Sequence, residues 1–146
     1  MNMLLALLLA AMPVQDDAAK LVPHGKPAVL HFWATWCGAC RQEFPRLRPE
    51  LLKLHARGVA VSLVSIDSPE DRGKAEEMLQ QYKLSALPAV LLQAPDPDPV
   101  AKALGVSDWD GVLPATFVYD AAGKLVKAFI GQADPAALDK VLSRLH

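Results

Sequence analysis

The feature that most constrains the fold is the run Ala28-Val29-Leu30-His31-Phe32-Trp33-Ala34. Turn-forming residues, Pro23-His24-Gly25-Lys26-Pro27, stand ahead of it, and Cys37 follows shortly after. A continuous apolar run of this length, bounded by turns, fits a strand buried on both faces, which needs a covering layer on each side. The chain can supply those layers. Its 146 residues are 52% hydrophobic, with a mean hydropathy of +0.18, enough for one domain with a sizeable core. His31 is the exception in the run. An imidazole in a doubly buried strand needs a hydrogen-bond partner or a chemical task.

Helical and strand patterns alternate after that run. Residues 37–57 predict a helix with Leu47, Leu51, Leu52 and Leu54 on its apolar stripe, a kink at Pro45 and Pro49, and a stop at Gly58. Residues 59–66 predict a second strand. Ser68-Pro69-Glu70-Asp71 combines an N-cap, a first-turn proline and acids, so a helix is expected from there to about Tyr82. Residues 89–93 predict a short strand. Pro95-Asp96-Pro97-Asp98-Pro99 predicts an extended, solvated connector, with a short helix over residues 100–104. Residues 115–119 and 124–130 flank Asp120-Ala121-Ala122-Gly123 and predict a hairpin. Asp134 and Pro135 open a last helix carrying Leu138, Val141, Leu142 and Leu145. This order predicts an α/β fold: a central mixed β-sheet, parallel early and antiparallel at its closing hairpin, with helices on both faces.

The first twenty residues are set apart. Met3-Leu4-Leu5-Ala6-Leu7-Leu8-Leu9-Ala10-Ala11 is too short to span a membrane and suits the apolar core of a secretory signal. The alternative is an apolar N-terminal helix packed on the domain. Gln15-Asp16-Asp17 then forms a polar linker, and the domain proper is expected over residues 21–146. Export is the expectation carried forward, to the periplasm or another extracytoplasmic compartment. A formal net charge of −1, with no block of Lys or Arg, leaves no electrostatic footprint for nucleic acid.

Both cysteines of the chain lie in Cys37-Gly38-Ala39-Cys40. A disulfide across so short a loop cannot brace a domain of this size. Cys37 stands past the carboxyl end of the buried strand and at the start of a helix, where unpaired N–H groups and the helix dipole stabilise a thiolate. It is therefore the expected nucleophile. Cys40, one turn further in, is the resolving thiol, and the two-residue spacer suits reversible dithiol exchange. Structural zinc needs more ligands than His24, His31, His55 and His146 provide at their scattered positions. A peroxide-reducing cysteine would be preceded by a proline and by a threonine three residues back, whereas Thr35 is two back. Copper(I) held by the pair near a histidine is a rival reading.

Phe32-Trp33-Ala34-Thr35-Trp36-Cys37-Gly38-Ala39-Cys40-Arg41 resembles the active site of the thioredoxin superfamily, and within it the TlpA/ResA-like thiol–disulfide oxidoreductases. Residues 111–120, the pair Gly123-Lys124 and the segment Leu87-Pro88-Ala89-Val90-Leu91-Leu92 resemble that branch's proline, strands and turn. The resemblance covers roughly residues 26–145 and implies a thioredoxin-like fold in a bacterial exported protein. The activity it implies is exchange with protein disulfides or thiols, usually as a reductant toward apocytochrome c or other exported proteins. A membrane or soluble thiol donor would regenerate the pair, with no cofactor and no metal. A non-catalytic module that holds copper(I) or an apocytochrome through the same thiols is the alternative.

The resemblance also implies site residues. Pro114 becomes a cis-proline facing the cysteines, with the Leu113 backbone turned toward a bound substrate strand. Trp36 becomes part of an apolar docking rim, against the alternative of core packing. Glu43, where many TlpA/ResA-like proteins carry a glutamate, either exchanges a proton with the pair or is a solvated helix residue. Arg41, Arg46 and Arg48 give that helix a basic, solvated face. His31 stands where thioredoxins often have a buried Asp and this branch often has Asn. It is either a proton relay to Cys40 or a neutral core histidine. Trp109 either borders the groove or anchors its loop.

Overall fold

The computed structural model describes residues 11–145. The apolar block at the start of the chain lies, but for its last residue, outside them. Among the described residues six strands form one sheet: β1 (Val14–Gln15), β2 (Ala28–Trp33), β3 (Ala60–Ser65), β4 (Ala89–Leu92), β5 (Ala115–Tyr119) and β6 (Leu125–Ile130). The described residues also form α1 (Gly38–Ala56), α2 (Arg72–Gln81), α3 (Pro97–Ala103) and α4 (Pro135–Ser143). The strand order is β1-β4-β3-β2-β5-β6. As the sequence order requires, β2, β3 and β4 run parallel, and β5 and β6 are antiparallel to their neighbours.

All six residues of β2 are buried, because the two faces of the sheet have separate cores. Val29 and Trp33 point to one core with Phe44, Leu47, Leu51 and Leu54 of α1, Leu79 of α2 and Leu138 of α4. Leu30 and Phe32 point to the other, with Val100 and Ala101 of α3, Trp109, Phe117 and Tyr119. Alternate residues of a strand face opposite sides, so an unbroken apolar run is what two cores demand. The stripe of α1 falls at helical spacing, and each of its fully buried large side chains contributes about 1.5–3 kcal/mol. The helix runs as one element from Gly38 to Ala56 through both of its prolines.

Three local expectations are corrected. Val14 and Gln15, expected to lie ahead of the domain, form β1: Pro13 and Gln15 carbonyls accept the Leu91 and Gln93 N–H groups at the edge of the sheet. A strand of two residues joined through its backbone has no side-chain period to read. The proline-rich stretch opens α3 instead of staying extended. Asp96 accepts the Asp98 N–H, and Pro97 and Pro99 fall in the first turn, where a missing N–H breaks no helical bond. Ser68 does not cap α2 directly, because a short 3-10 turn, Pro69–Asp71, precedes it.

Candidate active site

Cys37 is the N-cap of α1, in extended backbone conformation, and its Sγ accepts the Cys40 N–H at 3.1 Å. The two residues are joined as a disulfide across a Cα separation of 5.3 Å. Cys37 is 7% exposed and Cys40 not at all, so an incoming group meets Cys37 first. The helix begins here because β2 ends at Trp33 and the short loop Ala34–Trp36 turns the chain, with the Cys37 N–H donating to the Ala34 carbonyl at 3.2 Å.

That loop is held by a residue the sequence reading missed. Asp67, 2% exposed, follows the end of β3 and accepts the Thr35 N–H on both carboxylate oxygens at 3.1 Å. It also accepts the Thr35 hydroxyl at 2.6 Å and the Ser65 hydroxyl at 2.6 Å. From the other side the Arg41 guanidinium donates to the Thr35 carbonyl at 2.8 Å. A signal existed: Asp67 follows the second predicted strand, which is expected parallel to the cysteine strand, and the carboxyl ends of adjacent parallel strands open onto one crevice.

Pro114 lies at the same end of the sheet. Ala115 pairs with Phe32, which places Pro114 level with Trp33 as β2 leaves the sheet toward Cys37. The Leu113–Pro114 peptide bond is cis, and the Pro114 carbonyl accepts the Gly131 N–H at 2.8 Å. Leu113 is half-buried, with Val112 47% exposed before it. Trp36 is 65% exposed beside Cys37, so the core-packing alternative does not describe it. Trp109 does not border a groove with its side chain. It is 4% exposed, stacks edge-on to Phe32 and Phe117, and donates its indole N–H to the Val112 carbonyl at 2.8 Å. Its wide apolar rings pack with the aromatics of the second core, and the loop carrying Val112 hangs on its one polar atom.

Glu43 is not a solvated helix residue. It is fully buried, and its Oε2 accepts the Ala133 N–H at 2.6 Å. Burial pushes its carboxyl up to about 7, against the opposing pull of that N–H and of the Arg46 guanidinium. His31 is also fully buried, with Nδ1 at 2.9 Å from the Thr116 hydroxyl and Nε2 at 3.3 Å from Glu43 Oε1. Desolvation pulls His31 down to about 4, so its ring is neutral at pH 7. Arg41 and Arg46 are exposed and Arg48 half-exposed, and each is tied to a neighbouring loop or carbonyl: Thr35, Gln132 and Lys83 respectively.

The family model described as AhpC/TSA family matches residues 15–128. A thiol-disulfide oxidoreductase ResA of Bacillus cereus is 29% identical over 121 residues, covering 83% of this chain and 64% of that protein. The ResA of Bacillus subtilis is 32% identical over 108 residues, 73% of this chain and 54% of that protein. The chain therefore spans less than two thirds of the length of these curated relatives. The crystal structure of the thioredoxin domain of a thiol-disulfide oxidoreductase from Bacteroides vulgatus superposes with a TM-score of 0.61 at 27% identity, covering 81% of this chain and 80% of that one. The thioredoxin-like fold and the ResA-like kinship expected from the cysteine and proline segments are both found.

Proposed function

The chain belongs to the AhpC/TSA family, and on that premise we propose that it is a thiol–disulfide oxidoreductase acting on protein substrates through Cys37 and Cys40. The observation that carries this reading is the bridged pair at the start of α1, with one sulfur near the surface and the other enclosed. In the reduced protein the Cys37 thiolate, facing the Cys40 N–H at the helix start, attacks one sulfur of a substrate disulfide. That S–S bond breaks, a mixed disulfide to Cys37 forms, and the other substrate sulfur leaves as a thiolate. Cys40 then gives up its proton and attacks the Cys37 sulfur. The Cys37–Cys40 bond forms and the second substrate thiol leaves, so two electrons pass to the substrate. Glu43 lies one helical turn beyond Cys40 and is buried with it, which supports it as the acid–base group that exchanges that proton.

Trp36, Val112 and Leu113 offer an apolar rim ahead of Pro114, where an extended substrate segment would lie. The reductive direction, an extracytoplasmic site of action, and exported proteins or apocytochrome c as targets follow from the resemblance to the TlpA/ResA-like branch. No helix among the described residues is long and apolar enough to cross a membrane.

Reduction of insulin disulfides by the dithiothreitol-regenerated protein tests the activity. Cys37→Ser abolishes it, and Cys40→Ser accumulates a covalent mixed disulfide visible on a non-reducing gel. Full activity of Cys37→Ser overturns the reading, as does stoichiometric copper(I) binding by a protein that exchanges no disulfide. The reduction potential, measured against glutathione, decides the direction.

A further inference from the structure

His31 and Glu43 meet, fully buried, where β2, α1, β5 and the loop after β6 come together. Each has one polar end satisfied: His31 Nδ1 at the Thr116 hydroxyl, and Glu43 Oε2 at the Ala133 N–H. The other ends, Nε2 and Oε1, lie 3.3 Å apart. Neither atom has a hydrogen-bond partner among the described residues, since their approach is close in distance but not aligned as a hydrogen bond. Phe44 walls the ring on one side, at 5.8 Å between centroids, and Leu63 is its neighbour on β3. Two buried polar atoms 3.3 Å apart either share a proton or stay unpaired in a low-dielectric site, which is costly.

The surrounding charges are few. On α1, Arg46 is exposed, acts on Glu43 through its charge and is bonded to Gln132, while Cys37 and Cys40 are bridged. Thr116 of β5 and Leu63 of β3 bring no charge. From the loop after β6 comes the Ala133 amide, followed by Asp134, which is exposed and caps α4 at Ala137.

We propose that His31 and Glu43 form one proton site that changes tautomer, so that Glu43 can gain and lose a proton without losing its partner. With Glu43 protonated, its Oε1–H donates to His31 Nε2, and Nδ1–H donates to the Thr116 hydroxyl oxygen. With Glu43 ionised, the ring carries its proton on Nε2 and donates to Oε1, while Nδ1 accepts from the Thr116 hydroxyl. A hydroxyl can serve in either sense, and so can a neutral imidazole. In both states Glu43 Oε2 still accepts the Ala133 N–H, so the loop whose Gly131 N–H holds the Pro114 carbonyl has no reason to move. The direction of the two shifts agrees, with the histidine kept neutral and the proton kept on the acid. His31 is thereby a positioning residue for Glu43 rather than a relay to Cys40. This deepens the thiol–disulfide reading and rests on it only for the use to which the proton is put.

Nitrogen-15 NMR of the histidine ring in the full chain, reduced and oxidised, tests it between pH 5 and 9. In the wild type, His31 Nε2 is expected to move from the unprotonated to the protonated position as pH rises, with Nδ1 moving oppositely. The change should share its midpoint with the Glu43 carboxyl carbon signal. In Glu43→Gln the amide donates to Nε2 at every pH, and the tautomer stays fixed. A wild-type ring that keeps one tautomer while the Glu43 carboxyl titrates, or that becomes an imidazolium in this range, overturns the proposal. Insulin reduction by the same samples reports on the thiol chemistry alone, so inactive protein with an intact tautomer change overturns the functional reading and supports the dyad.

Discussion

The Asp67 carboxylate closes on Thr35 from two directions, taking its N–H on both oxygens at 3.1 Å and its hydroxyl at 2.6 Å. This ties the end of β3 to the loop two residues ahead of Cys37. Asp67→Ala leaves the Thr35 N–H and the Ser65 hydroxyl without their acceptor inside the protein. The expected loss is about 1–3 kcal/mol per buried group left unpaired. It should appear in urea unfolding together with a slower alkylation of reduced Cys37, because the loop ahead of Cys37 is no longer held. Asp67→Asn, which keeps one acceptor oxygen, should lose less on both measures. Equal losses for the two variants would contradict this role.

The buried dyad has a pH signature with a worked sign. Folding pulls His31 from 6.5 down to about 4 and pushes Glu43 from 4.5 up to about 7. Between pH 4.5 and 6.5 the folded pair therefore holds one proton, on Glu43, and the unfolded pair also holds one, on His31. The proton counts match, so the pair leaves stability flat there.

Breaking the dyad exposes each slope. In Glu43→Gln the unfolded chain binds a proton below pH 6.5 that folded His31 refuses until about 4, so stability falls as pH drops through that window. In His31→Asn the folded chain keeps a Glu43 proton that the unfolded chain releases above 4.5, so stability falls as pH rises toward 7. Each slope is at most about 1.4 kcal/mol per pH unit. Urea midpoints at several pH values across the window measure both, and slopes of the same sign in the two variants would refute the assignment.

The two tryptophans near the site should separate cleanly. Trp109 is 4% exposed and packed against Phe32 and Phe117, so Trp109→Ala is expected to cost about 3–5 kcal/mol of stability. Trp36 is 65% exposed. Trp36→Ala should change stability by less than about 0.5 kcal/mol while raising the KM for a protein disulfide. A thermal melt and insulin kinetics on both variants make the comparison.

Tyr119 offers an alkaline counterpart. Its hydroxyl donates to the Leu104 carbonyl at 2.7 Å, and burial pushes the phenol well above its ordinary value. Above about pH 10 the unfolded chain ionises while the folded chain does not, so stability falls with rising pH. Tyr119→Phe should cost about 1 kcal/mol at pH 7 and weaken that alkaline loss, as read from melts at pH 7 and pH 11.

Much of the fold was legible because its signals are local. The unbroken run through β2 announced two cores, the leucines of α1 announced its buried stripe, and Asp120 to Gly123 announced the hairpin. Cys37 could be placed at a helix start from the order of strand and helix alone, and the cis proline came with the resemblance. The edge strand Val14–Gln15 was not legible, because its evidence is two backbone hydrogen bonds to β4. The start of α3 was misread because prolines that break a helix interior are welcome in its first turn.

The sequence by itself determined which groups stand together locally: two cysteines, two residues apart, behind a buried strand, with a histidine where that strand should have none. Only the tertiary structure decided what the histidine faces. Glu43 is 12 residues away along the chain, and Thr116 is 85, yet the ring lies between them. Which buried polar atom meets which depends on the register of β2 against β5 and on the seating of α1 across the sheet. Local composition carries neither of those quantities, because both are set by how separate elements pack.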